Sequence, residues 1–172
     1  MPKIKKSHCF VNDILTLDLA HLRKKYPDYN IRCGVLLVRE EDGKLLIVKE
    51  KPRGNFTGNV FGPPKGSARR CDREYFDVAL RELLEETGIS ASALDCVGPE
   101  FVMFHYYYRE ILFLFPLVVH APPEPLPDMY EIEECRWMSI ADLRNNECAE
   151  SAYMRRLVSD LYTILVSGVA GP

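Results

Sequence analysis

Apolar residues in this chain follow two periods, and the change from one to the other marks its organisation. Residues 1–30 are mixed, with "ILTLDLAHLRKKY" the best helical segment. From Ile31 the apolar residues gather into short blocks bounded by turn residues, the pattern of buried strands. "IRCGVLLV" and "KLLIVKE" flank "REEDG", where Asp42-Gly43 predicts a hairpin. "KPRGNFTGN" reads as a basic loop and "VFG" as a short extended piece. In "PPKGSARRC", Pro63 and Pro64 forbid helix and Gly66 permits unusual backbone angles.

A helical period follows. Asp72 is a good N-cap, Glu74 falls in the first turn, and Gly88 is the stop. Phe76, Ala79, Leu80, Leu83 and Leu84 supply the apolar stripe. "CVGPEFVMFHYYYR" and "EILFLFPLVVH" read as strands, and residues 121–128 as a proline-rich loop. "CRWMSIADL" passes from strand into turn, and a helix over roughly 148–167 closes the chain. Strands and helices interleave without repeats, which predicts an α/β fold, a mixed sheet with helices on its faces. The expected division is an N-terminal extension, 1–30, and one domain, 31–172.

Composition supports one domain. The chain has 172 residues, 47% hydrophobic and 27% charged, enough for an adequate core and too few for two. A net charge of −3 and a pI near 5.8 exclude a global attraction to nucleic acid or acidic lipid. Basic residues nonetheless cluster: Lys3, Lys5 and Lys6, then Arg23, Lys24 and Lys25, then Lys49, Lys51, Arg53, Lys65, Arg69, Arg70 and Arg73. Each cluster reads equally as a solvated face or as a path for phosphates. The six cysteines form no C-x-x-C pair and no secretory segment opens the sequence. A reduced cytoplasmic or nuclear setting is expected. The longest apolar run, "ILFLFPLVV", is about half of a membrane span and contains a proline, so no membrane partner is expected.

"RELLEETGI" carries the chemistry. Glu82, Glu85 and Glu86 stand at i, i+3 and i+4, where they repel one another. Glu85 and Glu86 also lie at the helix end that favours cations. On a helical wheel the three acids point away from the apolar stripe as a compact cluster. A solvated helix end is one reading; a hard divalent cation offsetting the repulsion is the other. The loop before them supplies Lys65, a cation for phosphate, beside backbone groups of a glycine turn. Arg81 has Glu74 and Asp77 upstream on nearly its own face, the arrangement of a structural brace.

"GSARRCDREYFDVALRELLEETGI" resembles the signature of the Nudix hydrolases: a glycine, a loop acid, then R-E-x-x-x-E-E-x-G and an apolar residue. The second half matches at every fixed position. In the first half Gly66 and Arg81 stand one residue too far apart, so the loop acid falls between Asp72 and Glu74, with Glu74 preferred as the partner of Arg81. The resemblance implies an α/β/α sandwich and Mg²⁺- or Mn²⁺-dependent cleavage of a pyrophosphate. It implies Glu82, Glu85 and Glu86 as metal ligands, with the Gly66 carbonyl contributing and Glu85 central to catalysis.

"FGPPKG" resembles mRNA decapping enzymes, diadenosine tetraphosphate hydrolases and diphosphoinositol polyphosphate hydrolases. Glu131 stands six residues before Trp137 in "YEIEECRWMSIADL", a spacing shared by decapping enzymes, where the glutamate serves the metal, and by diadenosine tetraphosphate hydrolases. That likeness implies Glu131 as metal ligand and general base, with Glu133 and Glu134 as alternatives. Substrate contacts are expected from Lys65, Arg53 and Phe61, and a base could stack in the run Phe104, His105, Tyr106, Tyr107, Tyr108. The leading expectation is hydrolysis of capped RNA to a nucleoside diphosphate and 5′-monophosphate RNA. Diadenosine or diphosphoinositol polyphosphates are the alternatives, and a catalytically silent RNA- or protein-binding domain the remote one. Oligomeric state is not readable from the sequence.

Overall fold

The computed structural model describes residues 9–10, 18–52, 60–94, 103–107, 109–127 and 130–145. The expected closing helix, the N-terminal lysines and Arg53 lie outside them, as do the side chains of the aromatic run 104–108.

The strands are β1 (Cys9–Phe10), β2 (Asn30–Arg39), β3 (Leu45–Glu50), β4 (Val60–Gly62), β5 (Lys65–Ser67), β6 (Met103–Tyr107), β7 (Glu110–Val119) and β8 (Ile132–Met138). The helices are α1 (Leu19–Lys25), α2 (Tyr75–Thr87) and α3 (Ile140–Asn145), with a 3₁₀ turn at Ala91–Ala93. The strands join in the order β1-β6-β7-β2-β3-β4, with β5 added to β2 and β8 to β3. β2 and β7 are parallel over their whole length, and every other pairing is antiparallel. The sheet is therefore mixed.

β2 and β7 are buried almost continuously because both faces of the sheet are covered. Side chains alternate between faces, so one strand feeds two cores. Ile31, Cys33, Val35 and Leu37 meet Ile111, Phe113, Phe115, Tyr75, Val78, Ala79 and Leu83 in the first core, roofed by α2. Leu19 and Leu22 of α1 join it, and Asp18 caps that helix by accepting from His21 N at 2.7 Å. Leu36, Val38, Leu45, Ile47, Leu112, Leu114, Met138 and Leu143 fill the second core on the other face.

Local structure departs from the sequence reading in four places. The hairpin forms as expected, with Arg39 N donating to Lys44 O at 2.8 Å. "KGS", read as loop, instead hydrogen-bonds to β2, with Gly66 opposite Cys33. After β8 the chain makes α3 rather than a turn, because Ser139 and Asp142 cap it reciprocally: Asp142 N donates to Ser139 Oγ at 3.0 Å and Ser139 N to Asp142 Oδ2 at 3.3 Å. α2 starts at Tyr75, with Glu74 as its cap residue, because Asp72 is engaged elsewhere. Its buried face includes Tyr75, Val78 and Thr87, whereas Leu84 is exposed. Gly88 ends the helix in the left-handed conformation, φ 72°.

Candidate active site

The acids of α2 do not form one solvated cluster. Glu82 and Glu86 are 8% and 7% exposed, and only Glu85 faces solvent. The reason is β5: α2 lies across this added strand, and the two glutamates descend onto its backbone. Glu86 Oε2 accepts from Lys65 N at 3.0 Å. Glu82 presses against Gly66, where an added Cβ would lie 2.0 Å from Glu82 Oε2, so a larger residue would drive that carboxylate away. β5 itself is held tightly, since Val35 N donates to Pro64 O at 3.1 Å and Arg32 Nη2 to Lys65 O at 3.2 Å.

Burial dominates the electrostatics. It raises the Glu86 carboxyl to about 8, reinforced by the nearby charges of Glu50 and Glu82 and opposed by Lys65. Glu82 is also raised by burial, although the Arg81 guanidinium pulls the other way. Two partly desolvated carboxylates beside a backbone with no Cβ make a hard-oxygen environment that fits Mg²⁺ or Mn²⁺. Among the described residues no three acid, imidazole or thiol groups converge closely enough to be a preformed metal cage. The exposed carboxylate, Glu85, is engaged by arginines instead.

Arg81 is the centre of that engagement. Its Nη1 donates to Glu82 Oε1 at 2.6 Å and to Glu85 Oε2 at 3.0 Å, and its Nη2 donates to Ser67 O and to Asp72 Oδ2, both at 3.2 Å. Arg81 thus ties helix, strand and loop together. The loop acid in this brace is Asp72, not Glu74, which corrects the sequence expectation. With the extra residue in the loop, the turn at Arg69–Asp72 brings Asp72 back over α2, where it also accepts from Arg69 N at 2.6 Å. Glu74 is left exposed at the helix start.

The substrate residues divide. Lys65 is buried, with its ammonium 3.4 Å from Glu50 Oε1 rather than open to the site. Phe61 is 2% exposed in the second core, and Arg136 covers its ring at 4.6 Å. A ring so enclosed offers no face to a ligand, which corrects the expectation that Phe61 contacts the substrate. Glu131 is exposed in the turn before β8, and its carbonyl accepts from Lys51 N at 2.9 Å. That places it beside the end of β3. Glu133 is paired with Lys49 at 2.7 Å and Glu134 with Arg136 at 2.7 Å.

Two participants escaped the sequence reading. Glu50 ends β3 at a register shift and bridges Lys65 and Arg32, whose Nη2 lies 3.9 Å away. Arg32 also approaches Glu110 at 3.7 Å. A signal existed: Arg32 is a charged residue inside the apolar run "IRCGVLLV", and such residues are rarely buried without a partner.

The family model described as the NUDIX domain matches residues 28–160. The chain is 28% identical over 122 residues to "Phosphatase NudJ" of Escherichia coli K12, covering 68% of this chain and 71% of that protein. A binary complex of the C. elegans Ap4A hydrolase superposes with a TM-score of 0.63 at 16% identity, covering 80% of this chain and 98% of that one. The NUDIX domain of Shewanella oneidensis NrtR with ADP ribose gives 0.59 at 17% identity, covering 83% and 92%. At these identities the structural likenesses show the fold alone.

Proposed function

The chain belongs to the Nudix family of hydrolases, and from that premise we propose that it cleaves the phosphoanhydride of a dinucleoside polyphosphate in a Mg²⁺- or Mn²⁺-dependent reaction. The observation that carries the reading is the descent of Glu82 and Glu86 onto the Lys65–Gly66 backbone. Desolvating two neighbouring carboxyls is costly, and a hard divalent cation would offset that cost. In this reading Glu82, Glu85, Glu86 and the Gly66 carbonyl hold the cation. When bound, a divalent cation neutralises phosphate charge and activates water for attack on phosphorus. Glu131 accepts the proton of the attacking water, and Arg81 keeps Glu82 and Glu85 in register for the cation.

The choice of substrate rests on how the basic residues are used. Lys65 is tied to Glu50, Arg69 to Glu85, and Arg23 donates to the carbonyls of Arg69 and Arg70. A long RNA path needs cations free to meet phosphates, whereas a short polyphosphate chain needs few. Capped RNA is the second reading, favoured by the exposed Arg70 and Arg73 beside the site.

The test is product analysis with Mg²⁺ or Mn²⁺, offering diadenosine tetraphosphate and capped RNA side by side, with Glu85→Gln as control. Cleavage of the dinucleotide to two nucleotides, absent in the variant, is the expected result. Release of 7-methylguanosine diphosphate alone would replace it with decapping.

A further inference from the structure

Glu85 is bound by two arginines that differ in one respect: how easily each can leave. Arg81 is 20% exposed and contacts Glu82, Glu85, Asp72 and Ser67 O at once. Removing it would strand several buried groups. Arg69 is 55% exposed, and its Nη2 donates to both Glu85 oxygens, at 2.9 and 3.0 Å. Its backbone, by contrast, is fixed: N donates to Asp72 Oδ2 and O accepts from Arg23. Only the side chain can swing.

We propose that Arg69 is a displaceable counter-ion of Glu85: it holds the carboxylate when no divalent cation is bound, competes with the cation for it, and must vacate it for the site to assemble. This inference rests on the reading of Glu85 as a metal ligand.

Three observations converge on it. First, no metal cage is preformed among the described residues, while Glu82 and Glu86 are already in place on β5. The remaining ligand, Glu85, is the one that Arg69 holds together with Arg81. Second, an exposed guanidinium–carboxylate pair is worth little in water. A divalent ion carries twice the charge and approaches an oxygen to about 2.1 Å, compared with about 3 Å for a guanidinium. Exchange therefore favours the cation without excluding Arg69. Third, Arg69 lies in the loop between Gly66 and Arg81, in a turn closed by its own hydrogen bond to Asp72. The irregular half of the signature thus delivers a cation to the regular half. Once displaced, the guanidinium stays tethered beside the site with its charge uncompensated, poised for a substrate phosphate.

The test is Mn²⁺ binding by the full chain without substrate, followed through the free-ion electron paramagnetic resonance signal. The proteins are the wild type, Arg69→Gln, Arg69→Lys, Glu85→Gln and the double variant Arg69→Gln/Glu85→Gln. Thermal melts without metal establish that each variant is folded. Arg69→Gln should bind Mn²⁺ roughly two- to tenfold more tightly than wild type, the loss of one weak competing pair and its like charge. Arg69→Lys should stay close to wild type. Glu85→Gln should weaken binding, and adding Arg69→Gln to it should restore less than Arg69→Gln gains alone, because the two residues act on one another. If Glu85→Gln weakens binding while Arg69→Gln binds no better than wild type, the counter-ion role is wrong and the metal reading stands. If Glu85→Gln leaves Mn²⁺ binding unchanged, the ligand assignment itself fails, and the counter-ion role with it.

Discussion

A Cβ on Gly66 would lie 2.0 Å from Glu82 Oε2 and 2.1 Å from the carboxyl carbon, closer than atoms can approach. The obstacle is the far end of a flexible side chain, so Gly66→Ala should fold with little loss of stability while pushing Glu82 out of place. Activity should fall by about 10²-fold, as small displacements in catalytic sites do, with a melting temperature near that of wild type. Gly34→Ala is the contrasting case. Its Cβ would meet Pro64 O and Lys65 Cβ, each at 2.5 Å, so backbone must move. It should lose about 1–3 kcal/mol in urea unfolding, as overpacking does.

The brace separates two neighbouring acids. Asp72 pairs with Arg81 at 3.2 Å in a largely buried setting, whereas Glu74 is exposed. Asp72→Asn should cost about 1–3 kcal/mol, the scale for weakening a buried charged hydrogen bond. Glu74→Gln should stay within about 0.5 kcal/mol of wild type. Equal losses in the two variants would show that the register of the loop is misassigned.

That pair also shows how far the sequence reaches. The long strands β2, β3 and β7 were legible because hydrophobic period reports burial, and α2 because its stripe, acids and terminal glycine agree. The burial of Glu82 and Glu86 was not legible. A helical wheel places side chains relative to one another, and here the second surface is β5, three residues that read as loop. Asp72 and Glu74 were indistinguishable because an inserted residue shifts spacing without saying where the chain absorbs it. Phe61 failed as a substrate contact for a related reason: an aromatic beside a proline turn carries no mark of which core it enters.

The hairpin predicts a pH effect. Asp42 accepts from Arg39 Nε at 2.9 Å and Nη2 at 2.8 Å, and this hydrogen bonding, with Lys44 assisting, holds its carboxyl well below the usual range. A carboxyl depressed in the folded state contributes stability above its unfolded pKa of about 4 and loses it as pH falls further. Wild type should therefore lose melting temperature more steeply below pH 4 than Asp42→Asn does. Parallel curves in acid would remove the pair from the account.

Thiol reactivity should map the site's interior. Burial raises the Cys33 thiol well above its ordinary value, helped by the charges of Asp72 and Glu82. Burial and the charges of Glu86 and Glu134 raise Cys135 to about 12. Cys71 is exposed. The thiolate is the reactive form, so iodoacetamide at pH 8 should label Cys71 well before Cys33 or Cys135, read by peptide mass mapping. Early labelling of Cys33, which lies opposite Gly66, would mean that β5 opens readily.

The central claim is that the acids brought onto β5 form a divalent-cation centre that cleaves a phosphoanhydride. Its most direct test is hydrolysis of diadenosine tetraphosphate by wild type, Glu82→Gln and Glu85→Gln, with Mg²⁺ and with excess chelator, each variant first shown to be folded. The account predicts Mg²⁺-dependent release of two nucleotides by wild type and a loss of about 10²-fold or more in each variant, the scale seen when a charge-stabilising group is removed. Cleavage that survives both the chelator and the loss of these glutamates would contradict it.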